Sequence, residues 1–129
     1  MKTALTLFLI FIFHLVIAQR KIPQVSLDGR PGGKISRMDF IDSKKLVIRV
    51  GDDDSTWKVT DYKISFQKEA NEIMDFDVKG EMKPSKLDTI MMLLPPGTKI
   101  YFEFIRARMI NGSDKSLYAI SPITFVLTE

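Results

Sequence analysis

Side-chain alternation restricts the fold of this chain more than any other feature. Tyr62, Ile64 and Phe66 alternate with Lys63, Ser65 and Gln67 without a break. A period of two sends successive side chains to opposite faces, so residues 57–68 read as a half-buried strand. Met74, Phe76 and Val78 repeat the pattern against Asp75, Asp77 and Lys79, until Gly80 ends it. Leu46, Ile48 and Val50 share a face, as do Ile123, Phe125 and Leu127 against Thr124, Val126 and Thr128. Strands recurring at this spacing, with turn residues between them, predict a small all-β sandwich.

The last third organises that domain. Two β-rich runs, 99–110 and 120–128, flank a polar segment that begins Asn111-Gly112. Asn-Gly is a strong reversal signal because both residues tolerate positive φ, so the runs should form a hairpin closing the core. Asn111-Gly112-Ser113 also matches a glycosylation sequon, and the turn explains it equally well. Within the first run the inward parity changes: Ile100 and Phe102 share one face, Ile105, Ala107 and Met109 the other. Such a change predicts a β-bulge near Glu103-Phe104 that turns Phe104 outward. An outward Phe104 has two readings, a partner surface or a side chain covered by a neighbouring loop.

One segment changes period. Leu87, Ile90, Met91 and Leu94 fall at i, i+3, i+4 and i+7, one face of a short helix over 85–94. Ser85 and Asp88 are placed for a capping box, and Pro95-Pro96-Gly97 stops the helix. Earlier, Gly29-Arg30-Pro31-Gly32-Gly33 breaks an extended lead-in that carries Val25 and Leu27. A phosphate loop needs its full glycine spacing and a helix directly after it; here Lys34-Ile35-Ser36-Arg37 leads into another extended segment, so the stretch reads as a turn.

Residues 1–18 read as a signal peptide: Lys2 supplies the positive end, 5–17 the apolar stretch, and Ala18 a small residue before a cut ahead of Gln19. A retained membrane anchor is the alternative, although the run is shorter than a typical span and carries His14. Residues 19–129 then form one domain. The net charge of +3 falls by one when Lys2 leaves, too little and too interspersed for nucleic acid. The chain has no cysteine, and its single histidine, His14, lies in the leader. Ser-His-Asp and Cys-His chemistry and ordinary zinc sites are therefore excluded from 19–129, and a non-enzymatic protein without cofactor is expected. Asp52-Asp53-Asp54 invites calcium, but lacks the alternating ligands and distal glutamate of an EF-hand.

The opening Gly29-Arg30-Pro31-Gly32-Gly33-Lys34-Ile35-Ser36, preceded by Val25 and Leu27, resembles the start of the C-terminal domain of the gliding-motility protein GldM and its counterpart PorM. Ile64-Ser65-Phe66 is similar to that domain's Val-Ser-Phe strand. Gly97-Thr98-Lys99-Ile100-Tyr101-Phe102-Glu103, then Ile105 and Ala107, the turn at Asn111-Gly112, Leu117, Pro122-Ile123 and Phe125 continue the likeness in order. The resemblance implies an immunoglobulin-like β-sandwich from the type IX secretion and gliding machinery of Bacteroidetes. In that family the domain ends a long periplasmic shaft, anchored in the inner membrane, whose distal end meets outer-membrane ring components. This chain is expected to hold a leader and one such domain without the shaft, so a fold and a binding style carry over rather than energy transduction.

The expected function is recognition of other proteins, in the periplasm or at the outer membrane, through strand edges or end loops. Candidate surfaces are the acidic loop with Asp52, Asp53 and Asp54, the 111–116 turn, and an outward patch of Phe104, Arg106 and Arg108. The same patch also reads as a charged edge that discourages aggregation. The alternative function is a calcium- or carbohydrate-binding surface module using the aspartate loop with Trp57 or Tyr62.

Overall fold

A computed structural model describes residues 22–50, 57–69, 71–110 and 116–129. The leader, the Asp52-Asp53-Asp54 loop and the turn at Asn111-Gly112 lie outside the described residues. The chain order is β1 (Gln24–Leu27), β2 (Gly33–Ser36), helix α1 (Arg37–Asp42), β3 (Leu46–Arg49), β4 (Trp57–Glu69) and β5 (Glu72–Lys79). Helix α2 (Lys86–Met91), β6 (Lys99–Met109), β7 (Tyr118–Ile120) and β8 (Ile123–Thr128) follow. The strands make an all-β, sandwich-like fold of two sheets. One pairs β1 with β3; the other runs β2-β8-β6-β4-β5, with β7 also on β6. The larger sheet does not close into a barrel, because β2 and β5 end it.

The alternation places the core as the sequence predicts. Tyr62, Ile64 and Phe66 of β4, Ile100 and Phe102 of β6, and Phe125 and Leu127 of β8 are buried, facing Val25, Leu27, Leu46 and Ile48 of the small sheet. Phe102 is the hub: its ring lies 6.3 Å from Phe40, 5.9 Å from Tyr62 and 5.8 Å from Phe125, joining α1, β4 and β8. Aromatic pairs at these separations add stabilisation beyond the area they bury.

The glycine-rich turn is built from two devices. Asp28 and Gly29 both take positive φ, +46° and +90°, and Leu27 and Arg30 exchange backbone hydrogen bonds of 2.8 and 3.0 Å. That is a two-residue hairpin loop of the type Asp-Gly favours, and the Asp28-Gly29 dipeptide was its signal. Gly32, at φ +125°, passes so close to β8 that a Cβ there would lie 3.0 Å from the Thr124 carbonyl oxygen. Only glycine permits this approach, which lets β2 run parallel to β8 in the register Gly33↔Phe125 to Ser36↔Thr128.

Two helical expectations need correction. The stretch after Gly33 is extended only to Ser36; Arg37 opens α1, a second short helix beside the expected α2. Its cap was legible: the Asp39 backbone N–H donates to Ser36 Oγ at 3.1 Å. α2 occupies the predicted segment with Leu87 and Met91 buried, but Ser85 makes no side-chain cap bond, so the expected capping box does not form. Asp88 instead accepts from the Lys83 ammonium, whose side chain is almost fully buried and lies 4.5 Å above the Phe40 ring. Burial pushes the Lys83 pKa down, against the pull of Asp88. The pair fastens α2 to α1, as does Arg37, which donates to the Met91 carbonyl at 2.8 Å.

Phe102→Ala should destabilise the domain by about 3–5 kcal/mol, since three packed rings lose their common partner. Urea unfolding followed by tryptophan fluorescence measures it, and a loss below about 1 kcal/mol would contradict the hub assignment.

Candidate partner-binding surface

The bulge lies where expected, and it belongs to a larger device. β4 and β6 pair Val59↔Ala107, then Asp61↔Arg106, then Lys63↔Glu103. The first step holds one more residue on β4, the second one more on β6, so the two bulges oppose each other and the register is restored. Inward parity switches on both strands at one level, from Val59 to Tyr62 and from Ala107 and Ile105 to Phe102. The third neighbour switches too: β7 ends with buried Ile120 opposite Ile105, and β8 starts with Ile123 opposite Phe102. Ser121 and Pro122 make that break, where proline has no N–H to give a ladder.

Phe104 stands in the middle of this band. Its backbone is left-handed, φ +50°, and its side chain is 72% exposed. For a bulky residue that conformation costs about 1–2 kcal/mol. Depressions of about 760 Å³ and about 470 Å³ flank the ring. The larger is apolar, walled by Ile105, Ala119, Ile120 and Pro122; the smaller reaches Lys63, Asp77 and Lys79. Lys63 Nζ lies 5.7 Å from the Phe104 centroid.

Arg106 and Arg108 point outward from β6 as predicted, so with Phe104 they share one exposed face. Their charges are employed differently from the simple patch. Arg106 Nε donates to Asp61 Oδ1 at 2.7 Å, and Thr60 Oγ1 donates to Asp61 Oδ2 at 2.8 Å. Burial alone would raise the Asp61 carboxyl, but these hydrogen bonds and the Arg106 charge outweigh it and hold the pKa below its ordinary value. Arg108 sits opposite Lys58 in the register. No sequence pattern marks Asp61 as Arg106's partner, because the contact arises through the offset of two bulges.

The aromatic platform of the alternative reading does not form with Tyr62. That ring is buried against Phe102, and its hydroxyl donates to the Met82 carbonyl at 2.9 Å. Trp57 is half-buried, edge-on to Tyr118 at 5.3 Å. Asp52, Asp53 and Asp54 lie outside the described residues, among which no group of three acidic, histidine or cysteine side chains is placed to hold a metal. No family model matches the chain, and comparison with curated proteins finds no match.

At position 104 glycine should exceed alanine. Phe104→Gly should be about 1 kcal/mol more stable than Phe104→Ala in thermal denaturation, reversing the usual strand preference, because only the left-handed backbone favours glycine. Arg106→Ala should raise the Asp61 pKa. The depressed carboxylate contributes stability above its unfolded pKa and loses it as pH falls through the folded value. Wild type should therefore lead the variant by about 0.5–1 kcal/mol at pH 7 and converge with it in the acid range below about pH 4. Carboxyl NMR titration with parallel urea curves checks both.

Proposed function

We propose that this chain is a secreted, non-enzymatic interaction domain resembling the C-terminal domain of GldM and PorM, working with envelope components of a type IX secretion or gliding apparatus. It recognises a protein partner through the outward face of β6, with Phe104 as the anchor and Arg106 and Arg108 beside it.

The observation that carries this reading is Phe104. A phenyl ring held at φ +50° and 72% exposed pays strain without burying itself, while Phe102 before it and Ile105 after it face the core. Strain maintained at the surface points to use there. An exposed aromatic between two depressions, with arginine close by, has the composition of a binding hot spot. A partner chain laid over the ring would recover the burial that the fold forgoes, about 2 kcal/mol for a phenyl group. The family resemblance supports the same class of function: the Gly97–Glu103 run, written Gly97-Thr98-Lys99-Ile100-Tyr101-Phe102-Glu103, leads directly into the bulge. A signal peptide over residues 1–18 implies export, which suits a periplasmic partner.

The test is affinity capture from envelope extract with the tagged full chain, comparing wild type, Phe104→Ala and an Arg106→Ala/Arg108→Ala double variant, each checked to be fully folded at the capture temperature. Envelope proteins held by wild type should fall by about tenfold or more with Phe104→Ala. Equal recovery of the same proteins by all three would overturn the proposal.

A further inference from the structure

A second surface is offered by the free side of β5. Among the described residues this strand pairs with β4 alone, and its eight residues contain neither proline nor glycine. The other free edges of the larger sheet are short: β2 has four residues and follows Gly32, and β7 has three and precedes Ser121-Pro122. A strand of this length leaves a row of backbone donors and acceptors open to pairing.

The two faces of β5 specify what can pair. Met74 and Phe76 point towards the core but remain only half-buried, with the Lys86 ammonium 4.7 Å from the Phe76 ring centroid. On the opposite face Asp75 and Asp77 are exposed; the Asp77 side chain is 85% exposed and 4.0 Å from Lys63. These aspartates disfavour a second copy of the chain. A two-fold, antiparallel β5–β5 pairing that keeps apolar against apolar must centre near the middle of the strand. Centring it on Asp75 or Phe76, at the middle of the strand, sets Asp75 opposite Asp75 or Asp75 opposite Asp77; a register shifted to Asp77 pairs fewer residues and sets Asp77 opposite itself, with Asp75 meeting Lys79. Like charges directly opposite are destabilising.

We infer that the β5 edge accepts an extended segment of another protein whose residues alternate between apolar and basic. Its backbone continues the β4–β5 ladder, its apolar side chains extend the core over Met74 and Phe76, and its lysines or arginines face Asp75 and Asp77. The inference rests on the reading of the chain as an interaction domain, but not on Phe104.

The probe is an eight-residue peptide alternating lysine and valine, matched to the eight residues of β5. Its controls alternate glutamate and valine, or carry N-methyl groups on alternate amides. The lysine peptide should bind in calorimetry and slow amide exchange along β5, while both controls fail. Asp75→Lys combined with Asp77→Lys should weaken it about tenfold with an unchanged unfolding midpoint, and Phe104→Ala should leave its affinity unchanged. Absence of binding, equal binding of the N-methylated peptide, or a wild-type dimer in sedimentation that the aspartate variant dissolves would each overturn the inference. None of those results would touch the Phe104 capture experiment, so the two readings fail separately.

Discussion

The larger sheet depends on a cancellation. A single bulge in β6 would have put its two halves on opposite faces while β4 ran straight, and one half of β4 would then have faced the core with the wrong side chains. The offset at Thr60-Asp61 answers the one at Glu103-Phe104, and the break at Ser121-Pro122 carries the switch to the third strand. Val59, Ala107, Ile105 and Ile120 can therefore be buried on one side of the band, and Tyr62, Ile64, Phe102 and Phe125 on the other. The side chain left over by this arithmetic is Phe104. Its exposure follows from the cancellation and does not weaken the core.

The two layers are unequal, and the helices make up the difference. A two-stranded sheet cannot cover a six-stranded one, so α1 and α2 supply Phe40, Leu87 and Met91 to the remaining inner face. Buried Lys83, paired with Asp88 of α2 and lying over the Phe40 ring of α1, joins them where apolar packing alone would leave their approach unspecified. Replacing such a pair with apolar residues is often neutral, whereas removing one partner is not, so its contribution here is to orientation. At β5 the cover runs out, and Met74 and Phe76 stay half-open.

Much of this was legible in the sequence because period-two patterning reports burial directly. The β4, β5, β6 and β8 faces, the bulge and the outward Phe104 all follow from parity. What escaped was set by contacts between distant segments. The β4 bulge could be inferred only by noticing that Val59 and Tyr62 differ in parity, and its register against β6 is a tertiary fact. Asp61 reads as an ordinary surface carboxylate until Arg106 meets it. Helix α1 was hidden by its brevity, although Ser36 and Asp39 stood at capping distance. Ser85 misled for the opposite reason: its spacing to Asp88 fits a cap, but Lys83 engages that carboxylate first.

The parallel seam between β2 and β8 has a temporal side. Gly32 brings the first strand of the larger sheet against its last, so β2 finds its neighbour only after β4, β6 and β8 all exist as chain. Pairings this remote in sequence slow folding, because loop closure must precede any reward. The β2–β8 seam therefore cannot form until the last strand exists, and Gly32 is the residue that lets it close.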